Sequence, residues 1–136
     1  MTLYCDSSAL VKVYVEEEHS NDVRARLGAA DAVATSAVTY VEMRATLARL
    51  HRERRLTTPA FSAAKRQLDR QWPALLVLTT SDDLLATAAE LAESHGLRAL
   101  DSIHLAAFQQ LLACIDDDLE LSTFDDRLAQ AARQLR

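Results

Sequence analysis

Residues 2–14 of the chain read TLYCDSSALVKVY, and this stretch decides the fold. The apolar run at positions 2–5 has the length of a buried strand, and it ends at Asp6. Apolar residues then return at helical spacing from Leu10 onward. A strand is therefore followed directly by a helix, with Asp6 at the junction. Ligands of open α/β sheets bind beyond the carboxyl ends of the strands, so Asp6 is the first candidate functional residue.

The same succession of strand and helix patterns continues along the chain. Further strand-like runs lie at 31–35, 75–78 and 119–123. Helical patterns cover 9–14, 22–27, 37–55, 58–71, 82–95, 100–115 and about 126–134, and the triplet Asp116-Asp117-Asp118 is predicted to end the sixth of these helices. Strands that alternate with helices predict one parallel sheet flanked by helices. No repeat or linker divides the chain, so residues 1–136 are predicted to form a single α/β domain.

The composition favours a helix-rich protein and disfavours two common nucleotide-binding folds. Of the 136 residues, 49% are apolar, and only two are glycine and two proline, which is few for a sandwich of short strands. Gly28 and Gly96 each follow a helical pattern and are predicted at helix C-termini. No glycine-rich loop is present to bind a phosphate, which argues against a P-loop enzyme or a dinucleotide-binding fold.

The formal net charge of −5 is unusual for a protein that binds nucleic acid, because phosphate affinity rests on Lys and Arg. A bound divalent cation would reverse the local sign of an acidic cleft. Basic side chains form one cluster, which consists of Arg44, Arg49, His51, Arg52, Arg54 and Arg55. Two interpretations of this cluster stay open: a phosphate-binding surface, or a solvated helix face paired with Glu53.

The cysteines and the apolar segments indicate the compartment. Cys5 and Cys114 are the only two cysteines, and both are predicted to be buried and reduced, as in a cytosolic protein. The N-terminus enters a strand without a signal-peptide pattern, and no uncharged stretch reaches the roughly 18–20 residues of a membrane span. The sequence therefore predicts a soluble cytoplasmic protein that does not act at a membrane.

Four acids are candidate site residues, and three of them stand at helix starts. Asp6 and Asp125 each follow a strand, and Asp101 opens the most apolar helix of the chain. N-capping is the alternative role for Asp6 and Asp101, with Ser102 as a competitor at the second position. For Asp125 the alternative is the favourable placement of an acid in the first turn of a helix. Asp126 is predicted to face solvent.

The fourth acid, Glu42, lies inside a helix, where capping does not explain it. Its spacing from Val38 places it on the apolar stripe, and an ionised carboxylate there needs a partner or a metal. The alternative is a glutamate at the helix edge that turns to solvent or pairs with Arg44 or Arg49. His104 is predicted to be the hydrogen-bonded partner of a carboxylate or a backbone group rather than a metal ligand.

Hydroxyl side chains accompany the acids at these junctions, at Ser8, Ser36 and Thr123. Carboxylates, hydroxyls and water are the ligands of Mg²⁺ and Mn²⁺, whereas no His or Cys pair has the spacing of a zinc site. Four converging carboxylates repel one another, so at least one is expected to have a raised pKa in the absence of metal.

These residues lie in four segments that together resemble the PIN domain, and most closely the VapC-type ribonuclease toxins of bacterial toxin–antitoxin pairs. The segments are YCDSSALVK at 4–12, ATS at 34–36 leading to Glu42, LRALDSIHLA at 97–106 and STFD at 122–125. The third segment is the most specific, and the resemblance covers nearly the whole chain.

The resemblance implies a fold, a reaction and partners. The fold is a PIN-like three-layer α/β/α domain around a parallel sheet of about four strands. The acidic quartet of the family is matched by Asp6, Glu42, Asp101 and Asp125, which are implied to be catalytic and to hold Mg²⁺, with Mn²⁺ as a substitute; Ser8 and Thr123 match the supporting hydroxyls. The family further implies endonucleolytic cleavage of RNA, a homodimer, and inhibition by a small cognate antitoxin protein.

Two other functions compete with a metal-dependent endoribonuclease. A catalytically inactive PIN-like module would use the same cleft to bind RNA or a protein. A phosphatase or phospho-acceptor would use Asp6 covalently, but the haloacid-dehalogenase pattern requires Asp-x-Asp, whereas this chain has Asp6-Ser7-Ser8.

Overall fold

The structure is a computed structural model that describes residues 1–115 and 118–136. Its strands are β1 (Thr2–Cys5), β2 (Ala32–Ser36), β3 (Leu76–Leu78) and β4 (Leu119–Ser122). The helices of the described residues are α1 (Ser7–Tyr14), α2 (Ser20–Ala29), α3 (Val38–Arg52), α4 (Thr58–Gln71), α5 (Asp82–His95), α6 (Ala99–Cys114) and α7 (Asp126–Arg133), with a 3₁₀ turn at Trp72–Ala74. The strands form one parallel sheet in the order β3-β2-β1-β4.

Both faces of the sheet are covered by helices, as a parallel sheet requires. Successive side chains of a strand point to opposite faces, so Leu3 and Cys5 face one side and Tyr4 the other. The first side packs against apolar residues of α1, α3 and α4, among them Leu10, Met43, Leu47 and Leu68. The second packs against α5, α6 and α7, through Leu84, Leu105, Phe108 and Leu128. The predicted three-layer α/β/α architecture with four parallel strands is confirmed.

The strand order places a crevice at the carboxyl ends of β1 and β4. From β1 the sheet extends through β2 and β3 on one side, whereas β4 pairs with the other side of β1. Such a reversal of strand order opens a cleft in which open α/β proteins bind ligands. Asp6 follows β1, and Thr123 and Asp125 follow β4, so the sheet itself brings these residues together.

Several boundary predictions are confirmed and three are corrected. Helices α4 and α5 begin where their patterns predicted, with Thr57 and Ser81 as N-caps, and Gly96 ends α5 as expected with a left-handed φ of 64°. Helix α2 continues through Gly28 to Ala29, because no left-handed residue interrupts it there. Cys114 is exposed, since it lies on the outer face of the last turn of α6; Cys5 is buried as predicted.

The start of α6 is the third correction, since Arg98 occupies the N-cap position instead of Asp101 or Ser102. The chain is extended at Arg98, with φ −69° and ψ 161°, and the helix begins at Ala99. The predicted helix end at Asp116-Asp117-Asp118 falls largely on residues 116 and 117, which lie outside the described residues. Over the described parts of the chain, every helix is too short or too polar to cross a membrane.

Candidate active site

Asp6 is a buried carboxylate with both oxygens hydrogen-bonded. Its side chain is only 3% exposed. Oδ1 accepts from the backbone N–H of Ala9 at 3.1 Å and from the Ser8 hydroxyl at 2.7 Å. Oδ2 accepts from the Thr123 hydroxyl at 2.5 Å. Asp6 therefore caps α1, as its alternative role predicted, and its second oxygen points to the residues after β4.

Burial raises the pKa of Asp6, because taking a carboxylate out of water disfavours its charged form. Hydrogen bonds from the hydroxyls of Thr123 and Ser8 lower the pKa again in part. A raised pKa was expected from repulsion among the acids, but desolvation by burial is its largest cause. In either case, a cation beside Asp6 would favour the ionised form.

Asp101 and Asp125 converge on one arginine. Arg98 Nε lies 3.3 Å from Asp101 Oδ2, and its Nη2 lies 3.5 Å from Asp125 Oδ2. The two carboxylates are 17% and 23% exposed, whereas the Arg98 side chain is 81% exposed. Asp125 also caps α7 by accepting from Leu128 N at 2.9 Å. Two acids that are 24 positions apart in sequence thus share a single positive charge at the mouth of the crevice.

Glu42 is oriented by a buried histidine. His104 Nε2 lies 2.7 Å from Glu42 Oε1, and Nδ1 lies 2.8 Å from the hydroxyl of Tyr4. In a neutral imidazole, Nε2–H donates to the carboxylate, so Nδ1 accepts from Tyr4. His104 is 1% exposed and Glu42 is 17% exposed. The prediction that His104 partners a carboxylate is confirmed. The alternative pairing of Glu42 with Arg44 or Arg49 is wrong, since these contact Tyr40 and Glu53 instead.

Asp6, the two acids that pair with Arg98, and the Glu42–His104 pair are linked through β1 and the β4–α7 turn. Burial raises the pKa of the Tyr4 hydroxyl, and the negative charges of Asp6 and Glu42 raise it further, so both acids lie near this tyrosine. Thr123 Oγ1, which donates to Asp6, also accepts from Asp125 N at 3.1 Å. Within 1–115 and 118–136, no three His, Cys, Asp or Glu side chains stand at distances that would hold a metal ion. The ligand roles of the four acids stay a prediction.

Asp6→Asn is expected to stabilise the metal-free protein at neutral pH by on the order of 1 kcal/mol. An amide can accept from Ala9 N and Ser8 and donate to Thr123, and it removes a buried charge. Because the folded-state pKa is raised, the stability that wild type derives from the neutral carboxyl is complete below the usual pKa of 3.8. It is lost as the pH rises through the folded-state pKa. The difference between variant and wild type should therefore grow from acid to neutral pH.

Urea unfolding in EDTA between pH 4 and 8 measures this difference. Asp126→Asn, which removes an exposed acid from α7, is the matched control and should give no such trend. A loss of several kcal/mol in Asp6→Asn at pH 7 would contradict the prediction, because it would show that the charge itself supports the fold.

Two residues of the site carried no recognised signal in the sequence. Arg98 lies in the segment 97–106, and its only local signal is a spacing of three from Asp101, which is the spacing of helical ion pairs. Tyr4 was assigned only to a strand, and its bond to His104 spans 100 positions. Ser36, singled out with the other hydroxyls, accepts from Val38 N at 3.3 Å and therefore supports the start of α3.

Fold and site together define a three-layer α/β/α protein with carboxylates gathered at the switch point of its parallel sheet. The PIN domain family model matches residues 3–134. The chain belongs to the PIN domain family, and the predicted resemblance is confirmed.

Known relatives cover almost the whole chain. Ribonuclease VapC45 of Mycobacterium tuberculosis is 33% identical over 130 residues, which are 96% of this chain and 88% of that protein. Among solved structures, M. tuberculosis VapC20, a toxin that cleaves the sarcin–ricin loop, matches with a TM-score of 0.71 and 19% identity over 95% of this chain and 94% of its own. A toxin–antitoxin complex from Klebsiella pneumoniae matches with a TM-score of 0.64 and 18% identity over 92% and 87%.

Proposed function

We propose that this chain is a metal-dependent endoribonuclease that hydrolyses phosphodiester bonds in RNA, and that it is the toxin of a toxin–antitoxin pair. The observation that carries the proposal is the convergence of Asp101 and Asp125 on Arg98, beside the buried Asp6. Two carboxylates that share one exposed arginine can bind a divalent cation in its place. The 33% identity to a named ribonuclease over most of the chain supports the same reaction.

By the chemistry of their donor atoms the four acids suit Mg²⁺ or Mn²⁺, although no three of them stand at metal-holding distances in the described parts of the chain. The donors would be the carboxylates of Asp6, Glu42, Asp101 and Asp125, all oxygen ligands of the kind that hard cations prefer. The Arg98 guanidinium already occupies the space between two of them, and at 81% exposure it can leave with little loss of packing. A bound divalent cation would lower the pKa of an attacking water and stabilise the charge on the leaving oxygen.

The side chains of the site have separable tasks in this mechanism. Ser8 and Thr123 donate to Asp6 and so set the orientation of its carboxylate. His104 does the same for Glu42. Arg98, once released from Asp101 and Asp125, can donate to a non-bridging phosphate oxygen, because a guanidinium matches phosphate geometry. On substrate binding, Arg98 would thus exchange the carboxylates of Asp101 and Asp125 for phosphate oxygens.

A basic surface offers a path for the rest of the RNA. Eight of the 15 Lys and Arg residues lie between positions 44 and 70, against the two acids Glu53 and Asp69. This segment comprises most of α3 and nearly all of α4, and Arg52, Arg54 and Arg55, at and just beyond the end of α3, are exposed. The positive charge is thus concentrated here in a chain of net charge −5. Arg49 and Arg55 pair with Glu53, as the second interpretation of this cluster predicted. Because these pairs are exposed and can open, we propose that the cluster also binds phosphate.

The similar proteins support a proposal about the protein partners of this chain. We infer that a small cognate antitoxin inhibits this chain by occupying the same crevice, because similar solved structures include a toxin–antitoxin complex. A homodimer and a cytoplasmic location belong to the same proposal. The competing function is an inactive PIN-like module that binds RNA or protein without cleaving it.

Cleavage assays with and without metal separate these functions. Purified protein is incubated with single-stranded RNA in Mg²⁺, Mn²⁺ or EDTA, and the products are sequenced. The endoribonuclease should release internal fragments with defined ends only when metal is present. RNA that is bound yet stays intact in both metals would establish the inactive module instead. In parallel, Mg²⁺ or Mn²⁺ should raise the melting temperature of wild type more than that of Asp101→Asn, because ligand binding stabilises the folded state; equal shifts would contradict the metal site.

A further inference from the structure

Two aromatic rings lie stacked on the surface beside the candidate active site. The His19 and Phe124 rings are 5.4 Å apart between centroids and inclined by 19°. Phe124 is 44% exposed, and the His19 side chain is 48% exposed. A large apolar ring held at the surface is informative, because burial is its ordinary state. The pair therefore leaves part of its aromatic surface open to solvent, while the Lys12 ammonium contacts the Phe124 ring.

A buried cation lies against the Phe124 ring. Lys12 Nζ is 4.6 Å from the ring centroid, within the range of a cation–π interaction. Lys12 is itself only 12% exposed, and its ammonium donates to Glu17 Oε1 at 3.2 Å and to the backbone oxygen of Glu18 at 2.9 Å. These bonds hold the ammonium in place and thereby limit the movement of the ring.

The backbone places this ring next to the catalytic acids. Phe124 lies between Thr123 and Asp125, and its N–H donates to the Ser8 hydroxyl at 2.9 Å. Ser8 in turn donates to Asp6. A ligand stacked on Phe124 would therefore be an immediate neighbour of a phosphate that Arg98, or a cation bound by these acids, would hold.

His19 reaches Phe124 from an unfavourable backbone conformation. It is one of only two non-glycine residues with positive φ among those the structure describes, at φ 68° and ψ 6°. It precedes α2 without making a side-chain capping bond. Left-handed conformations are unfavourable for a non-glycine residue and recur at functional sites. The His19 ring is thus placed on Phe124 by a backbone conformation that is itself unfavourable.

We propose that the His19–Phe124 pair is a stacking platform for one unpaired base of single-stranded RNA, adjacent to the phosphate that is cleaved. The inference rests on the proposed ribonuclease function and specifies its substrate as unpaired at this position. Every base has a π-face, so such a platform binds without strong sequence preference. A base in a duplex is already stacked on both faces and cannot use it. The platform would therefore make the enzyme select loops and single strands.

Abasic scanning of a bound oligoribonucleotide tests the platform. The Asp101→Asn protein is titrated in Mg²⁺ with fluorescently labelled single-stranded RNA whose bases are removed one position at a time. Stacking of one base contributes about 1–3 kcal/mol, so removal at one position should weaken binding about 5- to 150-fold. In Phe124→Leu on the same background, the intact RNA should bind more weakly and that position should lose its effect. Phe124→Tyr keeps a ring and should resemble the parent.

The outcomes separate the platform from the function on which it rests. An abasic profile unchanged in Phe124→Leu would overturn the platform while leaving the nuclease intact, as would full cleavage of duplex RNA by wild type. Melting curves exclude misfolding of Phe124→Leu, and His19→Gly, which relieves the positive φ, gives a folded second variant with one ring removed. Failure of wild type to cleave any RNA in Mg²⁺ or Mn²⁺ would reject the proposed function, whatever the binding profile.

Discussion

Asp101→Asn should lower the rate of RNA cleavage by about 10³-fold or more and leave the protein folded. Removing one preorganised charged or polar group that stabilises a transition state typically costs 10²–10³-fold, and a lost metal ligand adds to this. The substitution is nearly isosteric. Asp101 makes no capping bond, because Arg98 holds the N-cap position of α6. Its one ion pair is with an arginine that is 81% exposed, and such pairs contribute about 0–1 kcal/mol.

Asp126→Asn is the matched control for this prediction. Asp126 lines the same crevice as Asp101, in the first turn of α7, but it is exposed and directed to solvent as the sequence predicted. The two variants remove the same charge from the same region, so both change long-range attraction to RNA equally. Initial rates in Mn²⁺ should fall only for Asp101→Asn, with unchanged circular dichroism for both. A rate within about threefold of wild type would reject a catalytic role for Asp101.

The acids that directly follow a strand could be predicted from the sequence. Asp6 and Asp125 follow apolar runs directly, and parallel strands bring their carboxyl ends to the same edge of a sheet. The pattern therefore gave the sheet, the crevice and two of its acids together. Glu42 was identified from a stripe with Val38 that is not the buried face of α3, because Thr39, Met43, Leu47 and Leu50 form that face. Glu42 lies at the edge of this face, where its half-buried carboxylate does have a partner, as predicted.

The partners of these acids could not be predicted, because they come from distant positions. Glu42 is bonded to a histidine 62 positions away, and that histidine to a tyrosine 100 positions away. Periodicity reports which face of a helix is buried, but not which residue of another element it meets there. The prediction that Cys114 is buried was wrong for a similar reason. Because α6 is apolar almost all round, the pattern could not show that its last turn extends beyond the core.

His104→Ala should lower the free energy of unfolding by about 3 kcal/mol, the largest stability effect expected for a polar residue of this chain. His104 is 1% exposed and bonded at both ring nitrogens. Its removal leaves a cavity beneath α6 and takes the partner from the buried hydroxyl of Tyr4. Across the described chain, every buried side-chain nitrogen and oxygen has a hydrogen-bond partner, so the loss of the imidazole leaves the Tyr4 hydroxyl without its side-chain partner. Gln110→Ala, on the exposed face of α6, should stay within about 0.5 kcal/mol of wild type.

A double-mutant cycle with Tyr4→Phe separates the bond from the cavity. Tyr4→Phe alone leaves His104 Nδ1 unpaired and should cost about 1–2 kcal/mol. In the His104→Ala background the Tyr4 hydroxyl has already lost its histidine partner, so removing the hydroxyl should be neutral or stabilising. The two losses of unfolding free energy should therefore not add. Urea unfolding measures all four proteins. Additive losses would show that the histidine contributes only by filling space. A non-additive result together with slower RNA cleavage by His104→Ala would assign the histidine to the orientation of Glu42, because the cavity alone does not require the carboxylate to move.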